Sequence, residues 1–340
     1  MQRIPTKVTD HLSNKQTSVL AAMSMGLLLG GCGGVQSALA PHGPQAQAIA
    51  KISWVMFGGA AVILLLVMAL SLYAIYRSPE KRWKANATVM VLCGGVALPG
   101  ITLSALLVYG VHEMGSLRAA PSAPAAEIEV IGNQWWWDVH YRGPDGRVIK
   151  TANELRIPAG QPVMVRLRSN DVIHSFWVPN LAGKIDLVPG RINHIVLQAD
   201  QTGLFRGQCA EFCGAQHARM AFHVIAEMPD AYAAWLAGQG EPARTPDDAV
   251  ALRGRDVFLA HCVSCHTVSG VGVARGRGPD LSHVASRKFI AAGMVENNRE
   301  NMVAFIARSQ EIKPGSLMPS HAHLGEEAID AIAQYLGTLK

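Results

Sequence analysis

The chain has 340 residues, enough for more than one domain, with 49% hydrophobic and only 16% charged residues. That balance is too apolar for a wholly soluble protein and sets the expectation of a membrane portion. The net charge of +5 is modest and spread along the chain; with no basic patch interleaved with aromatics, the sequence argues against nucleic acid as a partner.

At the N-terminus Arg3, Lys7 and Lys15 precede an apolar run, Val19 to Leu29, followed by Gly30-Gly31-Cys32. A basic segment, a short apolar core and small residues before a cut form a secretory signal, and the run is too short to span a bilayer. Residues 1–31 are read as a lipoprotein-type signal peptide, because a cysteine directly after the small residues resembles a bacterial lipoprotein box. Cys32 would then become the lipidated N-terminus, held in membrane lipid. The competing reading is an ordinary signal cut at Ala38 or Ala40, with Cys32 discarded.

Residues 50–113 read as a transmembrane hairpin. Trp54 to Tyr76 is an apolar stretch of about 23 residues, which spans about 34 Å as a helix. A second stretch, Ala87 to Val111, is similar, with Pro99-Gly100 expected to kink it. Trp54, Tyr73, Tyr76 and Tyr109 lie near the ends, as interface aromatics do. The loop between them, RSPEKRWKAN, carries Arg77, Lys81, Arg82 and Lys84 and is therefore cytoplasmic, so that both flanks face outward. Cys93, inside the second helix, reads as an inert packed thiol.

Ala119 to Ala126 is a linker, and from there to Met228 the text becomes β. EIEVIGNQWWWDVHY, PVMVRLRS, HIVLQA and AFHVIAEM are rich in valine, isoleucine and aromatics and are separated by turn residues. Residues 119–228 thus suggest a small β-sandwich or barrel. Within it, GQCAEFCGAQHARMAF gathers Cys209, Cys213, His217 and Met220: two thiolates, an imidazole and a thioether. Soft sulfur with imidazole nitrogen suits copper, and a long thioether bond tunes its potential. One cysteine with a second histidine from upstream would make a mononuclear blue-copper site. Two cysteines four residues apart can instead bridge two metal ions. Zinc is the competing metal, and a Cys209–Cys213 disulfide the competing covalent reading.

Residues 229–248, with Gly238, Gly240, Pro242 and Pro246, read as a linker and hinge. Residues 249–340 open with a helical lead-in, Ala249 to Leu259, and then Cys262-Val-Ser-Cys265-His266. C-x-x-C-H is the c-type haem attachment signature: two thiols reach the porphyrin vinyls and the adjacent imidazole takes the iron. Zinc or chance could produce the same five residues; an exported chain favours haem. This part resembles a class I cytochrome c, and Met318 lies in the proline-bounded KPGSLMPSH loop before the last helix, where the resemblance places the sixth ligand. Met294, Met302, His321 and His323 compete with it, although Met302 falls in an expected helix, Arg299 to Ser309. The last helix puts Ile329, Ile332, Leu336 and Leu339 on one face.

Three blocks in order, GNQWWWDVHY, HSFWVPNLAGKIDLVPG and the Cys209–Met220 loop, resemble subunit II of cytochrome c oxidase, and the C-terminal part resembles a class I cytochrome c. The resemblance implies a multi-domain chain: a two-helix transmembrane hairpin, a cupredoxin-like β-barrel and an all-α cytochrome c domain. It implies a binuclear copper centre (copper A) on the side chains of His174, Cys209, Cys213, His217 and Met220 and the backbone carbonyl of Glu211. The Glu211 side chain would also hold magnesium at the interface with subunit I, near Asp186. Trp135 would be the tryptophan of electron entry, here from a tethered haem. The glutamate that opens the family's second membrane helix is replaced by Arg82-Trp83-Lys84, with Glu80 slightly earlier, so no proton-pathway role is carried over.

The implied function is an electron-transfer subunit of a proton-translocating oxidoreductase. Electrons would pass from an external cytochrome c, or a cytochrome-containing quinol-oxidising complex, to the covalent haem c, to copper A and on to subunit I, where oxygen is reduced. Subunits I and III are the expected membrane partners. The place is the bacterial inner membrane, with the copper and haem domains on the periplasmic side. A copper A subunit of a nitric or nitrous oxide reductase and a stand-alone membrane-anchored electron shuttle are the alternatives. A quinol oxidase subunit would lack the copper ligands, which are all present.

Overall fold

The computed structural model of the chain describes residues 33–84, 86–117, 123–143, 145–271 and 277–340. The expected signal peptide and Cys32 lie outside the described residues.

Two helical runs come first. Helix α1 (Pro44–Tyr76) begins with proline in its first turn, where an N–H has no helical partner to lose. It starts well before the apolar stretch visible in the sequence. The second run begins at α2 (Ala87–Met90), where the Asn86 side chain accepts the Thr88 and Val89 N–H groups. It continues through π-helical turns over Val91–Ala97 into α3 (Leu98–Leu117). The disturbance expected at Pro99-Gly100 takes this form: proline has no N–H to return to the preceding turn, and wider turns just upstream absorb the loss. Among the described residues, both runs are long and apolar enough to cross a membrane. Their leucines, valines and isoleucines are exposed, including Leu64, Leu65, Val91 and Leu107. Cys93 is exposed among them.

The β domain is two five-stranded sheets face to face. One has the order β3-β2-β1-β5-β8, with β1 Ala126–Asn133, β2 Trp136–Arg142, β3 Val148–Ala152, β5 Val163–Ser169 and β8 Asn193–Leu197. The other runs β4-β10-β9-β6-β7, with β4 Glu154–Pro158, β6 His174–Trp177, β7 Ile185–Leu187, β9 Gly203–Cys209 and β10 Ala221–Glu227. The strand β5 shows why: Val163, Val165 and Leu167 point inward while Met164, Arg166 and Arg168 alternate outward. Trp137, Tyr141, Phe176 and Phe222 are essentially fully buried between the sheets. Aromatics of this size each remove roughly 150–250 Å² from water, so they dominate the core.

The stretch read as a linker and hinge, residues 229–248, carries helix α4 (Pro229–Gln239). Tyr232 and Trp235 lie on the face of it that meets the barrel: the Trp235 ring stands edge-on to Tyr141 at 5.1 Å, and the Arg156 guanidinium lies over it. Only the following residues up to Asp248 are free of regular structure. A strap before α1 also crosses the barrel. The buried Asn180 side chain donates to the carbonyls of Ser37 and Ala40, and His42 donates its N–H to the Asn180 carbonyl.

The C-terminal domain is helical. Helix α5 (Ala249–His261), capped by Asp248, crosses α8 (Glu326–Thr338) at Gly254. A Cβ there would come within 1.8 Å of the Ala331 carbonyl oxygen, so the crossing requires glycine. Phe258, Ile329, Ile332, Tyr335 and Leu336 fill the space between them. Helices α6 (Arg299–Ala307) and α7 (Ser309–Ile312) complete the shell.

The two globular parts touch along one face. Glu154 of the barrel accepts the backbone N–H groups of Lys288 and Phe289 at 2.6 and 2.8 Å. The Phe289 ring stacks on His223 with 3.8 Å between centroids, and Ala221 donates its N–H to Ala292.

Candidate metal centre and haem cleft

Strand pairing assembles the first site. β6 and β9 are neighbours with Phe176 opposite Cys209, which brings His174, at the start of β6, beside Cys209, at the end of β9. The chain leaves the barrel at Cys209 and re-enters at β10, just after Met220. A backbone hydrogen bond from Cys209 N–H to the Met220 carbonyl closes that loop. All the sequence-picked side chains therefore gather at one end of the barrel.

The donor atoms converge. The sulfurs of Cys209 and Cys213 are 3.7 Å apart, far beyond a disulfide bond, so both are free thiols. His174 Nδ1 is 3.9 Å from the Cys209 sulfur and His217 Nδ1 is 3.7 Å from that of Cys213. Met220 Sδ lies 3.8 Å from the Cys213 sulfur, and the Glu211 carbonyl oxygen 3.3 Å from that of Cys209. His174, Cys209 and Cys213 form a buried cluster whose ligand atoms all lie within 4.8 Å of one another. Two sulfurs in the middle, with an imidazole nitrogen on each side and one weak donor on each, match two metal ions sharing bridging thiolates better than one tetrahedral ion. Such a paired arrangement is what a copper A centre needs.

One thiol of the cluster, Cys209, is prepared to lose its proton. Cys209 is held well below the ordinary thiol range, chiefly because the Cys213 thiol donates to it, and Cys213 is pushed up by the same neighbour. His174 is desolvated, which alone would lower its pKa, but the Asp171 carboxylate raises it above the ordinary value. Asp171 Oδ1 sits 2.8 Å from His174 Nε2, which fixes the ring and turns Nδ1 toward the sulfurs. Gly132 backs the same ring, where a Cβ would lie 2.7 Å from His174 Cδ2. Asp171 is not legible in the sequence as a site residue; its one signal is a carboxylate three residues before the histidine.

Trp135 reaches this loop from the β1–β2 turn. Its indole N–H donates to the Cys213 carbonyl at 3.0 Å, and the Gln134 side-chain amide donates to the same oxygen at 2.7 Å. The Glu211 carboxylate, expected to hold magnesium, instead faces the Lys184 ammonium at 3.6 Å. Among the described residues no carboxylate joins it in a metal-binding group, so the magnesium expectation is not supported. Asp186 lies on β7 opposite Ser175, and its carbonyl accepts from Asn193.

The second site is a cleft of about 280 Å³ lined by Cys262, Cys265, His266 and Met318 of the helical domain. Trp135 and Trp136 of the barrel close its other side. His266 Nδ1 is 2.9 Å from the Pro279 carbonyl, leaving Nε2 as the free nitrogen. The Met318 backbone is held by Ser309 and Gln310, whose side chains donate to its carbonyl. Burial, with Cys265 beside it, pushes the Cys262 thiol up to about 11, so it is protonated at neutral pH. His321 also lines the cleft; Met302 lines it too but is packed in the core of the domain. These residues fit a covalently attached haem with histidine and methionine on its iron.

Two membrane-capable helices, a cupredoxin-like barrel with a two-cysteine soft-metal cluster, and a helical domain with a C-x-x-C-H cleft define a membrane-anchored electron-transfer subunit. Comparison gives the family. A model described as the periplasmic domain of cytochrome c oxidase subunit II matches residues 142–227, and a cytochrome c model matches residues 251–340. The chain is 36% identical over 332 residues to cytochrome c oxidase subunit 2 of Alkalihalophilus pseudofirmus, covering 92% of this chain and 94% of that protein. It is also 36% identical over 225 residues to that of Bacillus sp. strain PS3, covering 63% of this chain and 62% of that protein. The solved periplasmic domain of cytochrome oxidase subunit II from Bradyrhizobium japonicum is 30% identical, with a TM-score of 0.34, covering 36% of this chain and 97% of that one. The chain belongs to the cytochrome c oxidase subunit 2 family and carries a cytochrome c domain. As a subunit II it partners subunit I, and its two domains imply copper A and haem c.

Proposed function

We propose that the chain takes electrons from an external donor at its C-terminal domain and delivers them through the barrel to haem in subunit I. There oxygen would be reduced to water with proton translocation. The donor would be a cytochrome c or a cytochrome-containing quinol-oxidising complex. When bound, covalent haem c and the copper pair supply one-electron redox chemistry at the two sites. Cys262 and Cys265 would hold the haem by thioethers, with His266 and Met318 on its iron. His174, Cys209, Cys213, His217 and Met220, with the Glu211 carbonyl, would hold the copper.

The observation that carries this reading is Trp135. Its ring borders the haem cleft while its N–H is bonded to the carbonyl of Cys213 in the thiol cluster. One side chain thus touches both sites, which supports an intrachain route. The remaining residues hold that route dry and rigid: Cys209, Cys213 and Met220 are buried, and Gln134 fixes the Cys213 carbonyl.

The basic loop Arg77–Lys84 supports a cytoplasmic hairpin turn and outward-facing domains in the bacterial inner membrane. Subunit III is a further partner in this reading. The strap residues Ser37 and Ala40 satisfy the buried Asn180 amide, which supports processing upstream of Gln36, as the Cys32 lipidation reading requires. The test is rapid reduction of the full-length chain with haem and copper in detergent. Haem reduction followed by electron arrival at copper, at a rate independent of protein concentration, supports the intrachain route. Transfer that scales with concentration contradicts it.

A further inference from the structure

The two cofactor loops are hydrogen-bonded directly to each other. Gln216, between Cys213 and His217, donates its side-chain amide to the Pro314 carbonyl at 2.6 Å. Arg219, between His217 and Met220, donates from Nη1 to the Ile312 carbonyl at 2.8 Å. Lys313 answers from the other side, its ammonium donating to the Arg219 carbonyl at 2.8 Å. Ile312, Lys313 and Pro314 lead into Met318, whose own carbonyl is tied down by Ser309 and Gln310. Gln216 and Lys313 are only 3% and 4% exposed, and Lys313 also lines the haem cleft.

Burying a lysine ammonium is costly unless it is hydrogen-bonded. Here its bond goes to a backbone carbonyl in the opposite domain. The three bonds run in both directions between loops whose positions matter to different cofactors. Neither loop can shift without breaking at least one of them.

We propose that Gln216, Arg219 and Lys313 are positioning residues that lock the copper loop and the methionine loop in one mutual register, so that ordering either loop orders the other. This rests on the assignment of the two loops to copper and haem. The coupling is reciprocal by linkage: whatever copper does to order the methionine loop, an ordered methionine loop does for copper affinity. Because Arg219 and Gln216 flank His217, the latch acts on the ligand set itself and not merely on domain contact.

The experiment is amide hydrogen exchange read by mass spectrometry on the full-length, haem-matured chain in detergent, without and with copper. In the parent, copper slows exchange at 214–220 and also, by about fivefold or more, at 312–318, the change that one retained hydrogen bond supplies. In Lys313→Met and Gln216→Leu the slowing at 214–220 persists while that at 312–318 disappears, and Lys313→Arg restores it. Should Lys313→Met fail to mature, Gln216→Leu decides alone. Copper-independent exchange at 312–318 in a parent that has bound copper overturns the latch, as do variants that keep the parent's response. A parent that takes up haem but no copper overturns the functional assignment instead, and the latch with it.

Discussion

The indole N–H of Trp135 donates to the backbone carbonyl of Cys213, 3.0 Å away, while the same ring forms a wall of the cleft that holds Cys262, Cys265 and His266. A Trp135→Phe variant keeps an aromatic ring but loses that bond. Since Gln134 still donates to the Cys213 carbonyl, the stability loss should be about 1 kcal/mol by denaturant unfolding. Electron exchange between the two sites should slow far more than that loss explains. An unchanged exchange rate in a variant with intact spectra would remove Trp135 from the route.

Asp171 orients His174 through the 2.8 Å contact to Nε2. Asp171→Asn retains size and removes the charge. Competition titration against a chelator should show copper affinity reduced about 10–100-fold, the usual cost of losing an outer partner of a metal-bound histidine. Haem content should be unaffected, because Asp171 is remote in sequence from the C-x-x-C-H domain and contacts His174, Gln134 and Val172.

Domain docking should depend on pH through His223. Burial, with Arg206 nearby, lowers its pKa to about 4, and its ring stacks on Phe289 across the interface. A base whose folded pKa lies below its unfolded value stabilises fully above the unfolded pKa of about 6.5, and that contribution is lost as pH falls toward the folded value. Between pH 6.5 and 4 the folded, docked state should weaken against the unfolded chain by up to on the order of 3 kcal/mol. Thermal unfolding of the barrel and helical domains should then separate into two transitions. His223→Phe should flatten that pH dependence; a variant that keeps the parent's slope would shift the cause elsewhere.

Much of the chemistry was legible because it is local. Cys209, Cys213, His217 and Met220 lie in one short loop, and Cys262, Cys265 and His266 in another, so spacing carried those donors, whereas His174, the Glu211 carbonyl and Met318 came with the family resemblance. The apolar runs were legible by length. What sequence did not carry were pairings across long separations between residues of ordinary surface type. Glu154 reads as a polar strand residue until Lys288 and Phe289 arrive from the other domain to donate to it. Gln216 and Lys313 read as loop residues for the same reason. Helix α4 reads as a hinge in the sequence because glycines and prolines follow it, whereas Tyr232 and Trp235 give it a face that the barrel buries. Glu211 carried the family expectation of magnesium, and only the structure puts Lys184 beside its carboxylate.

The strap makes a prediction about processing. Asn180 is buried and donates to the carbonyls of Ser37 and Ala40, while Arg206 donates to the Gln36 side chain. A cut after Ala38 would remove the Ser37 acceptor, and a cut after Ala40 both acceptors, leaving the buried amide unpaired at a cost of about 1–3 kcal/mol. Intact-mass measurement of the membrane-isolated chain should place the mature N-terminus upstream of Gln36. A terminus beginning after Ala38 or Ala40 would contradict it and exclude a lipid on Cys32.

The most direct test of the account is the metal and haem content of the full-length chain, recorded together with its electron-paramagnetic spectrum. Two coppers per haem iron, with the multi-line signal of a mixed-valence pair, is the expected result, because the two sulfurs 3.7 Å apart each face their own imidazole. Zinc, or one copper with a mononuclear signal, would contradict the binuclear assignment and with it the intrachain electron route.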